Sequence, residues 1–299
     1  MPRSPALSFR HALPRRALHA LAFALLLCAC VAAQARDLRV MSFNVRLPVA
    51  ADGENRWEAR RTLMIETIRR AHPDLVGTQE LFGLQGDALV AGLRGYRWFG
   101  RGRRGGGADD EHMGVLYRTD ALRLVESGDF WFSDTPDVVG SISWGNLYPR
   151  MVTWGLFETR DGARFYLLNT HFPYRDEDEA VRVRCAQALL DRIRALPQDV
   201  PVVVTGDFNT GDDSAAHALL TTDLRDVWQT APRRRGPEGT FHAFTGQPQR
   251  RIDWILVRGF DARSVDVQTV HSGVRYPSDH FPVLAVLRRN ATASAEETP

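Results

Sequence analysis

The chain has 299 residues, 44% of them hydrophobic, and a formal net charge of +2. That is enough apolar material for one large domain or two small ones, and it excludes a disordered or collagen-like chain. Several of the positive charges fall in the first twenty residues, so composition points to no nucleic-acid partner.

The N-terminus combines Arg3, Arg10, Arg15 and Arg16 with an apolar run from Leu18 to Val31 and Ala33-Gln34-Ala35 as an A-x-A cleavage site. This is the pattern of an export signal over residues 1–35. The apolar run is short for a membrane span, and no later segment approaches the roughly 20 apolar residues that a spanning helix needs. The expectation is a protein exported to the periplasm or the medium, with lipid attachment at Cys30 of "LCAC" as the lesser reading. Cys28 and Cys30 belong to the signal, which leaves Cys185 without an internal disulfide partner in the mature chain. Val181, Cys185, Ala188 and Leu189 share one helical face, so Cys185 reads as apolar filler.

Residues 36–290 read as one domain, followed by a disordered tail at 291–299. Strands are predicted in "LRVMSFNVR", "PDLVGTQE", "HMGVLYR", "MVTWGLFET", "RFYLLNTHF", "VPVVVTGDFN", "RIDWILVR" and "PVLAVLRR", each rich in Val, Ile, Leu or aromatics and bounded by Gly, Pro or Asp turns. Helices are predicted at about Trp57 to Ala71, Leu84 to Leu93 and Asp178 to Leu196. This interleaving favours two sheets packed together with helices outside.

Polar residues gather at the ends of these strands: Asn44, Glu80, His171, Asp207 and Asn209, with Asp253 inside the apolar "RIDWILV" and Asp279-His280 ahead of the last strand. Singly, Asn44, Asn169 and Asn209 read as turn formers, Glu80 as a solvated strand end and His280 as a satisfied core histidine. Asp253 resists such a reading, because an ionised carboxylate in an apolar strand needs a partner.

In chain order the set reads "SFN", "GTQE", "NTHF", "GDFN", "RIDWI" and "SDHFPV". It resembles the endonuclease/exonuclease/phosphatase superfamily, the deoxyribonuclease I-like metal-dependent phosphoesterases, from about Leu38 to Leu287. The stretches "DGENRWEARR", "FWFSDTPDVVGSISWGNLYPRMVTW" and "GTFHAF" look like a bacterial exported branch, nearest among characterised members to the carbon catabolite repressor and nocturnin type of 3′-5′ exonuclease. The resemblance implies a four-layered α/β sandwich of two mainly antiparallel sheets flanked by helices, with the site at one end.

It also implies roles. Glu80 matches the principal Mg²⁺ ligand, Asn44 lies beside it, and Asp279 is a metal-proximal acid; oxygen donors suit Mg²⁺ or Mn²⁺. Asp207 and Asn209 match the pair that positions the attacking water and the phosphate. His171 matches a phosphate-contacting histidine, and His280 the acid/base, its tautomer fixed by Asp253. Arg150 of "YPR" is a phosphate partner or one half of a structural ion pair, while Trp144 of "SWGN" and His242 of "GTFH" are candidates to line the cleft. The loop "GRGRRGGGADDEH", with Arg101, Arg103 and Arg104, reads as a substrate clamp or as a solvated loop.

The expected activity is hydrolysis of a phosphodiester or phosphomonoester by in-line water attack, on a nucleic acid, nucleotide, inositol phosphate or lipid head group, with no stable protein partner implied. Two other readings stand beside it. A binding module of the same fold would lack a ligand or base, and none is missing. A hydrolase of non-phosphate esters or glycosides would call for other signatures, and no G-x-S-x-G elbow or histidine-rich second metal site is present.

Overall fold

The structure is a computed structural model that describes residues 36–290. The expected signal at 1–35 and tail at 291–299 lie outside the described residues. Among the described residues thirteen strands form two sheets. One has the order β10-β12-β13-β1-β2-β4-β3, with β4 at Val115–Arg118, and the other β5-β6-β7-β8-β11-β9, with β6 at Met151–Thr159 and β9 at Arg225–Asp226. The strands that build the site are β1 (Leu38–Asn44), β2 (Leu75–Gln79), β7 (Arg164–His171), β8 (Val202–Asp207), β11 (Asp253–Arg258) and β13 (Val283–Arg289). Pairing is mainly antiparallel, with β1 parallel to β2, β7 parallel to β8 and β10 parallel to β12.

Period-two alternation sorts each central strand between two cores. In β1, Leu38 and Val40 face the layer between the sheets, whereas Met41 and Phe43 face outward under α1 (Trp57–Ala71) and α2 (Gly83–Gly92). In β8, Val203 faces inward, and Val202 and Val204 pack under α3 (Glu179–Arg194) with Cys185, Leu189 and Ile193. Helix, sheet, sheet and helix make the four layers, and Cys185 is the buried filler its helical face implied. Central strands buried on both faces are why these segments read as continuous apolar runs.

The inter-sheet face changes character along its length. On β7 it runs Phe165, Leu167, Asn169, His171; on β8, Val203, Thr205, Asp207; on β11, read backwards, Val257, Ile255, Asp253. Apolar layers give way to a polar tie. Asn169 accepts from Gln79 Nε2 (2.8 Å) and Thr205 Oγ1 (3.0 Å) and donates to the carbonyls of Thr78 (2.7 Å) and Gly114 (3.1 Å). Asn169 is therefore a mid-strand staple between the sheets and makes no turn. The sheets approach so closely here that a Cβ on Gly77 would lie 2.0 Å from Thr205 Oγ1 and 2.6 Å from Asn169 Oδ1.

The predicted helices fall within a few residues of those observed. Strands β3 (Tyr96–Phe99), β5 (Leu122–Trp131) and β12 (Phe260–Val267) escaped the sequence reading. β3 and β5 are edge strands, and β12 is followed only by the two-residue β10 (Arg234–Arg235). Residues 123–129 of β5 stay exposed or half-buried, so its polar residues, Glu126 and Asp129 among them, blur the apolar signal.

Candidate active site

The polar layer ends at one edge of the sandwich because two strand registers and one connecting segment align. β7 and β8 pair His171 with Asp207, β8 and β11 pair Asp207 with Asp253, and the segment before β13 brings His280 to the same edge. Arg60 of α1 fixes that segment. Its buried guanidinium donates to the carbonyls of Val45 (2.6 Å), Arg46 (2.5 Å) and Pro277 (3.0 Å). Ser278 Oγ adds a 2.7 Å bond to the carbonyl of Asn44. Just past the ends of β1, β2 and β8, Arg46, Glu80 and Asn209 all have left-handed backbones, with φ of 56°, 59° and 52°. Asn tolerates this conformation; for Arg and Glu it is strained, and such strain concentrates at functional sites.

His280 Nδ1 lies 2.8 Å from Asp253 Oδ2, and its Nε2 lies 3.8 Å from Asp207 Oδ2. Burial opposes a charge on His280, but Asp253 and Asp207 outweigh it and hold the imidazolium up to about 10. His171 mirrors this arrangement, with Nε2 3.6 Å from Asp207 Oδ2 and Nδ1 3.3 Å from Glu111 Oε1. Burial, reinforced by Arg150, pushes His171 down to about 3, so the ring is neutral. Asp207 is pushed up by burial and then by Asp253, which makes it a better proton acceptor than an exposed carboxylate. Its Oδ1 accepts from the Asn209 N–H (2.9 Å), and the Asn209 amide donates to the Phe172 carbonyl (3.0 Å).

Asn44 Nδ2 donates to Asp207 Oδ2 (2.9 Å) and to Glu80 Oε1 (3.1 Å), while its Oδ1 accepts from the Arg46 N–H (2.9 Å). Asn44, expected beside the metal as an oxygen donor, gives one lone pair of its oxygen to the backbone and uses its amide to orient two carboxylates. Glu80 Oε2 accepts from the Leu47 N–H (3.0 Å). Glu80 and Asp279 both face the Arg46 guanidinium, at 4.0 and 3.8 Å, beyond hydrogen-bond length. Burial, with Glu80 adding, pushes the Asp279 carboxyl up. The open side of these groups forms a cavity of about 710 Å³ that Glu80, Asp207, Asp279, His171 and His280 line together with Arg150.

A sequence profile described as the Endonuclease/Exonuclease/phosphatase family matches residues 41–280. The chain belongs to that family. A solved endonuclease/exonuclease/phosphatase from Bacteroides vulgatus is 33% identical, covering 85% of this chain and 99% of its own, with a TM-score of 0.80. A mannosyl-6-phosphatase from Bacteroides thetaiotaomicron is 31% identical over 84% of this chain and 99% of its own, with a TM-score of 0.78. The human nocturnin catalytic domain, at 20% identity, a TM-score of 0.68 and coverage of 86% and 95%, shares the fold.

Members of the endonuclease/exonuclease/phosphatase family are hydrolases of phosphoester bonds, and the donor set of this chain fits a hard divalent cation. Two carboxylates, Glu80 and Asp279, converge with only a distant guanidinium between them, which is a place for oxygen-seeking positive charge. A second group, Asp207, Asp253 and His280, has ligand atoms within 4.8 Å of one another and could also hold an ion. The 2.8 Å bond between His280 and Asp253 already engages Nδ1, and a histidine so held is built for proton transfer. Glu80 and Asp279 could hold a cation and leave the His280–Asp253 pair intact.

Two predicted residues stand apart. Trp144 does not line the cavity; its Nε1 donates to Asp134 (2.8 Å), and its ring lies 6.0 Å from the Arg184 guanidinium, against the core under α3. His242 is fully buried, stacks on Phe281 at 3.9 Å, and is pushed down to about 4 by burial. Its place is packing behind the His280 segment. Sequence reasoning passed over Arg46, Arg60 and Glu111, although Arg46 closes the predicted strand "LRVMSFNVR"; Arg60 lies in a helix and Glu111 in a loop. For Glu111 the signal was its position in "DDEH", directly ahead of a predicted strand. The Gly-rich loop divides: Arg103 and Arg104 line the cavity, whereas Arg101 is half exposed beside Asp129.

Proposed function

We propose that the protein is an exported, Mg²⁺-dependent hydrolase that cleaves phosphoric esters by in-line attack of water. The observation that carries this reading is the convergence of His171, His280 and Asn44 on the single carboxylate of Asp207, in one cavity with Glu80 and Asp279.

Bound at Glu80 and Asp279, the cation would polarise a phosphoryl oxygen and absorb negative charge; Mn²⁺ suits the same oxygens. The chain's own groups supply the rest. Asp207 accepts a proton from the attacking water, which Asn209 helps to hold in line. His280, charged and braced by Asp253, gives a proton to the departing ester oxygen, and His171 adds a donor at the phosphoryl group. The water oxygen forms its bond to phosphorus as the ester bond breaks, and the products are an alcohol and a phosphate.

Export rests on the N-terminal pattern alone, and among the described residues no helix is long and apolar enough to cross a membrane. The 31% identical mannosyl-6-phosphatase supports a phosphate carried on a small polar group. The likeness to nocturnin is one of fold and argues for no nucleic-acid substrate. The deciding assay is turnover of nucleotides, short DNA and RNA, inositol phosphates and sugar phosphates with Mg²⁺, Mn²⁺ or EDTA. Hydrolysis that persists in EDTA, or in His280→Ala, overturns the assignment.

A further inference from the structure

The cavity is lined by carboxylates, Glu80 and Asp279 among them, and by arginines, Arg150 and Arg103 among them. Both guanidiniums are more than nine-tenths buried, at 4% and 7% residue exposure. Arg103 is held from several directions. Its Nη1 pairs with Glu111 at 2.8 Å, its N–H donates to the Glu111 carbonyl (2.8 Å), its own carbonyl accepts from Trp131 Nε1 (2.7 Å), and the guanidinium lies 4.8 Å over the Tyr148 ring. Arg150 lies 5.9 Å from the Tyr174 ring and has no carboxylate partner among the described residues. Arg150 Nη1 and Arg103 Nε are buried donors without acceptors.

This is an unbalanced arrangement. Glu111 offsets Arg103, and nothing offsets Arg150, so one buried positive charge is left beside His171. A buried charge without a partner is costly, and planar N–H donors fixed in advance suit phosphate oxygens. A phosphomonoester carries close to two negative charges at neutral pH, because its second ionisation lies near pH 6. A diester carries one charge, because a carbon substituent esterifies the additional oxygen and removes its charge.

We infer that Arg150, with Arg103 beside it, binds the additional charged oxygen of a terminal phosphate, so that the site takes phosphomonoesters in preference to phosphodiesters. This rests on phosphoester hydrolysis being the reaction. A diester would turn an uncharged ester oxygen and its carbon towards Arg150, leaving the guanidinium unpaired. The arginine pair thus reads the number of free oxygens on phosphorus, and the alcohol that carries the phosphate faces the rest of the cavity.

The test compares 4-nitrophenyl phosphate with bis(4-nitrophenyl) phosphate on the full chain with Mg²⁺. Wild type is expected to favour the monoester in kcat/KM. Arg150→Met should lower monoester kcat/KM about 100-fold, as loss of a charge-assisted hydrogen bond would, and diester kcat/KM at least tenfold less than that; Arg150→Lys should recover part of the monoester loss. Diester preference in the wild type, or equal losses on both esters, overturns the inference. Orthophosphate binding by calorimetry with Mg²⁺ decides it even if neither ester turns over. Weakening of at least tenfold in Arg150→Met supports the inference and unchanged affinity overturns it, whereas absence of turnover on every ester overturns only the reaction.

Discussion

His171 and His280 present their Nε2 atoms to one and the same oxygen, Asp207 Oδ2, from 3.6 and 3.8 Å. Behind each ring a carboxylate stands at Nδ1, Glu111 at 3.3 Å and Asp253 at 2.8 Å. Environment separates the two histidines: Arg150 adds to the effect of burial at His171, while Asp253 and Asp207 overcome it at His280. One ring is neutral and the other charged, so similar groups can take different parts around a single phosphate.

The charged state of His280 depends on Asp253. Asp253→Asn keeps the shape of the side chain and removes its charge, and we expect kcat on a phosphate ester to fall by roughly 10²- to 10⁴-fold while far-ultraviolet circular dichroism is unchanged. Activity within threefold of wild type would mean that the pair is structural.

Glu80 tests the cation. Glu80→Gln retains size and the contact with Asn44 but loses charge. The Mg²⁺ concentration needed for half-maximal activity should rise by about tenfold or more, an effect of the size seen when a metal site is weakened. EDTA should abolish wild-type turnover, with Mg²⁺ or Mn²⁺ restoring it.

The inter-sheet tie is open to denaturation experiments. Asn169→Ala leaves the carbonyls of Thr78 and Gly114, the Gln79 amide and the Thr205 hydroxyl without a shared partner. Urea unfolding should show a loss of roughly 2–4 kcal/mol. Gly77→Ala forces a methyl into the same space and should cost roughly 1–3 kcal/mol or more; a neutral result would show that the sheets can part locally.

Asp226 links stability to pH. It is buried between Arg251 (2.8 Å) and His217 (2.8 Å). Burial alone would raise its pKa, but the His217 and Arg251 interactions prevail and hold it below the usual carboxylate value. A depressed folded pKa gives stability that is complete above about pH 4 and is lost as the pH falls through the lower, folded value. Asp226→Asn should remove this acid-side dependence and cost roughly 1–3 kcal/mol, because Arg251 keeps Asp212 but loses its buried carboxylate, and His217 loses the same charge. Unfolding of both proteins measured from pH 3 to 7 provides the check.

How far the site could be read in advance depended on where each residue sits. Glu80, His171, Asp207 and Asp253 end or interrupt apolar strands, and a polar residue there is conspicuous because burial penalises it. Asn44 was equally conspicuous, yet its role turned on which amide atom faced the site, which depends on the Arg46 N–H across a strained turn. Trp144 and His242 lie in loops, where local pattern carries no information about which way a ring points. Arg60, Glu111 and Arg103 act from a helix and a Gly-rich loop, and nothing in their neighbours' hydropathy marks them.

By itself the sequence determined the central strands, the three main helices and the polar inventory, because alternation and burial are properties of short segments. Tertiary structure alone decided the partnerships. Asp253 meets His280 across 27 positions and Asn44 meets Asp207 across 163. Such contacts depend on strand register and sheet spacing, which no local stretch encodes. The tertiary fold also decided that Arg150 lies buried without a counter-ion among the described residues.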